Sequence, residues 1–277
     1  MNLVEITVSE HHLKLRPFLL SIPKEFDAGA GLCLHQGRNV IRLFAWEDCH
    51  YVVKRFWYAG LFRHLAVLCG KDKARRSYAN AVALLECGLL TPNPVGYVVR
   101  KNMMGWSTDG YYICEFTSMP SLKDGLDEFG IFNRPLLHAF ARFVACLHQN
   151  GFVHNDLNNT NVRYFQAGEN YCFSLIDLNR MRTFLPSCPV PVDMCFDDLT
   201  RFCCMGKMFE YFVREYIKAR GWDESLAHRA IYIKKQHDRS YVRRKSFLRK
   251  LKRLLSWRLW CFFSASWRTA RNVPLNI

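Results

Sequence analysis

With 277 residues, half of them hydrophobic and 23% charged, the chain can bury a sizeable core, in about two lobes, and is not a disordered polymer. Its twelve cysteines contain no C-x-x-C pair and lie mostly in apolar stretches, which excludes a zinc-ribbon pattern and points to free thiols in a reducing, cytoplasmic setting. The formal net charge of +15 is concentrated in the tail: eleven of 39 bases and no acid follow Asp238, and the other 28 bases face 24 acids.

The N-terminus carries Glu5 and no unbroken apolar core, so it does not read as a signal peptide. No run reaches the roughly eighteen apolar residues of a spanning helix, and the chain is expected to be soluble or peripheral. Residues 31–56 read as strands, rich in β-branched and aromatic side chains, with a turn at Glu47-Asp48 and with Gly37 inside HQGRN. From Lys73 to Cys87 the period becomes helical, with Gly88 as the stop. TPNPVGYVV and YYICEF give two further strands, and the texture then changes near residues 116–120.

Beyond that boundary the pattern is mostly helical. RPLLHAFARFVACLHQNG puts Leu136, Leu137, Phe140, Phe143, Val144 and Leu147 on one stripe, with Pro135 near its start and Gly151 at its end. FVHNDLNNTN has no period, and NVRYF and YCFSLID read as a hairpin joined by QAGEN. Residues 195–220 and 239–262 are helical again.

The chemistry concentrates around that hairpin. Asn161 stands just before its first strand and Asp177 just after its second, so antiparallel pairing brings both to one open end. An amide oxygen and a carboxylate there are hard ligands suited to Mg²⁺, with phosphate oxygens and water completing the shell. Asp156, on the loop leading in, can take a proton from a hydroxyl beside such a site. These are the parts of phosphoryl transfer. Asp and Asn also cap turns, so the companions matter. In YVVKRF, strand alternation sends Val52, Lys54 and Phe56 to one face, placing an ammonium among apolar groups. YYICEF offers a connecting strand whose backbone can meet a nucleobase.

The order of Lys-bearing strand, helix, connecting strand, long helix, H-x-D-x-x-x-x-N, hairpin and Asp resembles the protein-kinase-like fold. VVKRF, KARRSYANAVALLECGLLTPNPVGYV (residues 73–98), YYICEFT, FARFVACLHQNGFVHNDLNNTNV and SLIDLNRM are similar, more narrowly, to the bacterial lipopolysaccharide kinase (Kdo/WaaP) family. The resemblance implies an α+β, two-lobed fold with a small β-rich N-lobe carrying one main helix and a larger, mostly α-helical C-lobe. The expected divisions are an N-lobe over 1–116, a C-lobe over 117–238 and a basic tail over 239–277. It also implies that Lys54 holds ATP phosphates, that Glu115 and Phe116 lie at the hinge beside adenine, and that Asn161 and Asp177 bind Mg²⁺. Asp156 would be the catalytic base and His154 a scaffold residue.

Three departures stand out. The helix over 73–87 offers Ser77, Ala79 and Asn80 where an acidic partner of the lysine is usual, so Lys54 is expected beside Asp177 or the nucleotide rather than Glu86 or Asp72. Asn158 stands where many protein kinases have a lysine, which leaves Arg163 or Arg180 to neutralise transferred charge. Asn155 replaces the Arg of H-R-D, suggesting no dependence on a phosphorylated activation loop.

The tail mixes cations with Phe247, Leu248, Leu251, Leu254 and Leu255, the composition of an interfacial helix drawn to anionic lipid. A helix packed on the C-lobe is the alternative, and nucleic acid ranks last because no nucleic-acid motif is present. The implied function is ATP-dependent phosphorylation of a hydroxyl on a lipopolysaccharide core sugar, Kdo or heptose. The expected setting is the cytoplasmic face of the inner membrane, with residues 239–262 on its anionic surface. A non-catalytic pseudokinase, or a small-molecule or protein kinase of the same fold, are the competing expectations.

Overall fold

The computed structural model describes residues 3–58, 72–128, 131–185, 187–204 and 206–269. Six antiparallel strands form one sheet: β1 (Leu3–Val8), β2 (Leu32–Gln36), β3 (Val40–Trp46), β4 (Cys49–Trp57), β5 (Pro94–Lys101) and β6 (Ser107–Glu115), in the order β1-β5-β6-β4-β3-β2. Alternation along β4 divides the lobe. Tyr51 and Val53 join a core beneath helix α1 (Arg16–Asp27), built on Phe18, Leu19, Ile22 and Phe26. Phe56 faces the opposite way, into a second cluster with Tyr58, Ala74, Tyr97 and Val99 beneath helix α2 (Lys73–Glu86).

The start of α2 is tied to the end of β4. Asp72 accepts from the Arg75 amide at 2.9 Å and from the Tyr58 hydroxyl at 3.0 Å. Tyr58 in turn accepts from the Lys73 and Ala74 amides. Strand β1 and helix α1 are elements that the sequence did not announce. Proline at position 23 interrupts the α1 pattern, although here the helix continues through it. Among the described residues, α1 and α2 thus pack on opposite faces of the sheet.

In the second lobe a short helix α3 (Leu122–Leu126) precedes α4 (Arg134–Gln149). Asn133 caps α4 by accepting from the Leu136 amide at 3.1 Å, and Gly151, with φ of 81°, turns the chain back after its end. Of the expected stripe, Leu136, Leu137, Phe140, Val144 and Leu147 are each 0% exposed, and Phe143 is half-buried at its edge. They pack against Phe173, Leu175, Phe196, Phe212 and Tyr216 in one core. Two-residue strands β7 (Phe152–Val153) and β10 (Arg182–Thr183) pair on either side of the hairpin β8 (Val162–Ala167) and β9 (Asn170–Leu175). The helical stretch 195–220 is two helices, α5 (Val192–Leu199) and α6 (Lys207–Arg220).

The last helix, α7, runs from Leu226 to Thr269, so it begins before the expected 239 and passes beyond 262. Its first turns are docked: Ala227 and Ala230 are buried, and the Lys234 ammonium donates to the carbonyls of Thr200 and Phe202 at 2.9 and 3.1 Å. From Arg239 to Lys250 every residue except the half-buried Ser246 is exposed. The stripe positions Leu251, Leu254 and Leu255 lie outside the described side chains, and residues 270–277 lie outside the described chain. No helix among the described residues is long and apolar enough to cross a membrane.

Candidate active site

A cleft of about 530 Å³ opens between the sheet and the hairpin. Ile41, Val52 and Lys54 line it from β3 and β4, Cys114 to Thr117 from the connecting strand, and Asn161, Arg163 and Asp177 from the hairpin side. At its deep end the Lys54 ammonium pairs with Asp177 Oδ1 at 2.6 Å, its side chain only 11% exposed. Phe56 lies below, with the ammonium 5.4 Å from the ring centroid. Glu86 is exposed at the end of α2, and Asp72 is spent on its cap.

Helix α2 contributes in another way. Asn80 Nδ2 donates to the Leu178 carbonyl at 2.7 Å, and Arg76 Nη2 to the Met181 carbonyl at 3.2 Å. These bonds grip the backbone immediately after Asp177, which sits in the left-handed region at φ 63°. In place of an acid that meets the lysine directly, the helix holds the segment whose Asp meets it. Ser77 lines the cleft between Arg76 and Asn80.

Asn161 and Asp177 face the same cavity, as the hairpin geometry requires. Pairing closes at Val162 and Leu175 and continues through the Ile176 amide to the Asn161 carbonyl at 2.9 Å. Asn161 Nδ2 donates to the Asp156 carbonyl at 2.9 Å, so its Oδ1 has no protein partner among the described residues. Asp177 Oδ1 takes Lys54 and Asn179, which leaves Oδ2 open. Two hard oxygens on one cavity wall fit a Mg²⁺ completed by phosphate and water.

The loop carrying Asp156 is anchored from below. His154 is fully buried; its Nδ1 accepts from the Asp156 amide at 3.2 Å, so Nε2 carries the proton and donates to the Ile176 carbonyl at 3.1 Å. One imidazole thus links the loop to the residue before Asp177. Asp198, on α5, accepts from the amides of His154 and Asn155 at 3.0 and 2.6 Å and from His148 at 3.2 Å. Asn155 needs that support, since its φ is 60°. Burial opposes a charged His148, but hydrogen bonds to Asp198 and Cys195 lift it to about 9. Asp156 itself meets the half-exposed Arg180, whose Nη1 donates to Oδ2 at 3.2 Å.

At the hinge, Glu115 and Phe116 line the cleft, but their amides are spent on the carbonyls of Asn93 and His50 at 3.0 and 2.9 Å. The Glu115 carboxylate turns to Asn93 and His12. The Thr117 amide has no backbone partner among the described residues. Burial pushes the Cys114 thiol up to about 12, despite a hydrogen bond with Tyr112 that works against it, and removes it as a nucleophile. Sequence reasoning missed Asp198, Asn80, Arg76 and Thr117. Only Asn80 had a local signal, as an amide where an acid is usual.

A small antiparallel sheet joined through one strand to a helical lobe, with Lys and Asp paired across the cleft, defines a kinase-like protein. The chain belongs to the lipopolysaccharide kinase (Kdo/WaaP) family, whose model matches residues 35–188. Helix α1 and helices α5 to α7 thus flank the matched segment. A solved structure of WaaP in complex with acyl carrier protein shares the fold, with a TM-score of 0.60 at 17% identity, over 86% of this chain and 99% of that one. Comparison with curated proteins gives no match.

Proposed function

We propose that this cleft binds ATP with Mg²⁺ and transfers the γ-phosphoryl group to a hydroxyl of a lipopolysaccharide core sugar. The observation that carries the reading is the 2.6 Å pair of Lys54 with Asp177, at the deep end of a cavity that Asn161 also faces. Lys54 would hand its charge to the nucleotide phosphates when they enter. Asn161 and Asp177 would hold Mg²⁺, which would offset the negative charge of the phosphates. The base would meet the Glu115 carbonyl and the Thr117 amide.

Asp156 has the access that a base needs, because only Oδ2 is engaged, by an exposed Arg180. It would orient the acceptor hydroxyl and take its proton as the oxygen bonds to phosphorus and the bond to ADP breaks. His154 would act through position alone, fixing the loop against the Asp177 segment. The two lobes divide the work: residues 1–116 would supply Lys54 and the Glu115 carbonyl to the nucleotide, and residues 117–238 the Thr117 amide, the proton acceptor Asp156 and the metal ligands.

The terminal helix suits a glycolipid acceptor. Arg243, Arg244, Lys245, Arg249 and Lys250 are exposed, as are Phe247 and Leu248. This is a helix surface that an anionic bilayer attracts, at the cytoplasmic face of the inner membrane. The absence of an acid on α2 opposite Lys54 favours one other reading, a nucleotide-binding pseudokinase. Purified protein incubated with radiolabelled ATP, Mg²⁺, deacylated core oligosaccharides and test proteins separates these. Label on sugar supports the proposal, label on protein makes this a protein kinase, and no label with retained ATP binding makes it a pseudokinase.

A further inference from the structure

The loop from Asp156 to Asn161 has an anchor in a part of the chain that the family model does not match. Asn159 is buried, and its carboxamide makes two bonds to one residue. Oδ1 accepts from the Cys203 amide at 2.9 Å, and Nδ2 donates to the Cys203 carbonyl at 3.1 Å. Two bonds to the amide and carbonyl of a single residue fix direction as well as distance. On its other side the Asn159 carbonyl accepts from the Lys123 amide at 3.2 Å. Asp156 therefore lies between two grips: Asp198 holds the amides of His154 and Asn155, and Cys203 holds Asn159.

Both grips come from one short stretch, the end of α5 and the residues after it. Residues 200–204 are neither helix nor strand, so no regular element sets the spacing from Asp198 to Cys203. Lys234, on α7, sets it instead. Its ammonium donates to the carbonyls of Thr200 and Phe202 at 2.9 and 3.1 Å and meets Asp238 Oδ1 at 3.2 Å, so each of its three protons has an acceptor. The two carbonyls flank Arg201 and are drawn to one point, which bends the chain immediately before Cys203. Burying a lysine against Phe209, with its ammonium 5.5 Å from the ring centroid, costs free energy unless its protons are met. Apolar contact docks a helix at less cost, as Ala227 and Ala230 do in the turns before it. What the charge adds is a fixed geometry for two carbonyls.

Resting on the phosphoryl-transfer reading above, we propose that Lys234 is a positioning residue for Asp156. It acts through the bend at residues 200–203 and the Cys203–Asn159 pair, and it touches neither nucleotide nor acceptor. Lys54 and Asp177 lie outside this chain of contacts, and Asn161 keeps its own tie through its carbonyl to the Ile176 amide. Loss of the brace should therefore misplace the proton acceptor and leave the nucleotide groups in place. The terminal helix thus has two parts with separate roles: Lys234 serves the loop, and the exposed residues after Asp238 face outward.

The test is label transfer from ATP to core oligosaccharide by the full chain, as wild type, Lys234→Met, Asn159→Ala and the double variant, with ATP affinity measured beside it. Lys234→Met keeps the aliphatic stem and removes all three donors. It should lower kcat about tenfold and leave ATP affinity and the KM for oligosaccharide unchanged. Because both residues act through Cys203, the double variant should lose no more than the larger single loss. Losses that multiply in the double variant, to about a hundredfold, would overturn the route through Asn159. Wild-type kcat in Lys234→Met, or ATP affinity lost in step with kcat, would make the lysine a prop of the fold alone and overturn the proposal, leaving the transfer reading intact. A wild-type protein that transfers no label would overturn that reading and this inference with it. Melting temperatures check folding. If Lys234→Met unfolds, Lys234→Gln, which gives up the charge and one bond of reach, decides by the same split: lowered kcat at unchanged ATP affinity supports the proposal, and wild-type kcat overturns it.

Discussion

Beneath the loop that carries Asp156, Asp198 and His148 are 2% and 1% exposed, and each has its polar atoms engaged. Along residues 239–250 of α7 the cations stand in solvent, and no acid follows Asp238 in sequence. Both regions are charged and both lie outside the matched 35–188 segment, except for His148. Their difference is in what the charge is attached to. A buried carboxylate must be fully satisfied, and in return it fixes backbone atoms to within tenths of an ångström. Exposed cations fix nothing within the chain, so their effect is on a partner surface and is screened by salt.

The largest effect should come from breaking the buried region. Asp198→Ala leaves two backbone amides and His148 without their acceptor and should cost about 3 to 5 kcal/mol of stability, read from denaturant midpoints. Truncation after Asp238 should cost under about 1 kcal/mol by the same measurement, since the side chains described beyond it, residues 239–250, are exposed apart from the half-buried Ser246, and exposed residues contribute little. If truncation destabilises as much as Asp198→Ala, the far half of α7 is part of the fold and the comparison fails.

Next in size is the grip of α2. Asn80→Ala leaves the Leu178 carbonyl with the Met181 amide as its remaining donor and should loosen the Asp177 segment, lowering phosphoryl transfer by roughly tenfold with little change in melting. Lys54→Met should lower transfer by on the order of a hundredfold. Equal rates in wild type and Asn80→Ala would mean that the grip is incidental.

The pH dependence sharpens the buried side. His148 is raised from its ordinary 6.5 to about 9 by Asp198 and Cys195 against the opposing effect of burial. Its contribution to stability is thus fully present below about 6.5 and is lost as pH rises through about 9. Cys195, drawn down by His148 although burial opposes it, and the Tyr216 hydroxyl at 2.8 Å face the same ring. Stability should decline across that window in wild type, and His148→Gln should flatten the slope.

The exposed side gives a binding effect. Each Lys or Arg near an anionic surface is worth on the order of 1 kcal/mol, so full-length protein should bind anionic vesicles less as salt rises. The protein truncated after Asp238 should bind them weakly at any salt. Preference for nucleic acid over vesicles at matched salt would reassign the helix.

The fold was legible wherever the period was uninterrupted: α2, α4 and the β8–β9 hairpin are where the apolar spacing puts them. Helix α1 was not, because an internal proline at 23 reads as a break and only packing on Phe44 and Tyr111 shows that the helix tolerates it. The spacing around the hairpin brought Asn161 and Asp177 to one end, and the lack of an acid in the middle of α2 led to the Lys54–Asp177 pair. Asp198 had no such signal. Its partners are backbone amides 43 and 44 residues away, and a backbone amide leaves no mark in a sequence. The same holds at the hinge, where nothing in the sequence shows that the Phe116 amide is already bonded to the His50 carbonyl.

The account rests on a division of labour between two carboxylates, and one pair of variants tests it. ATP affinity in the presence of Mg²⁺ and the rate of label transfer to core oligosaccharide should be measured side by side for Asp156→Ala and Asp177→Ala. Asp156→Ala should keep wild-type ATP affinity and lose transfer by at least about a hundredfold, while Asp177→Ala should lose Mg²⁺-dependent binding and transfer together. Equal loss of ATP binding in both, or full transfer by Asp156→Ala, would contradict it.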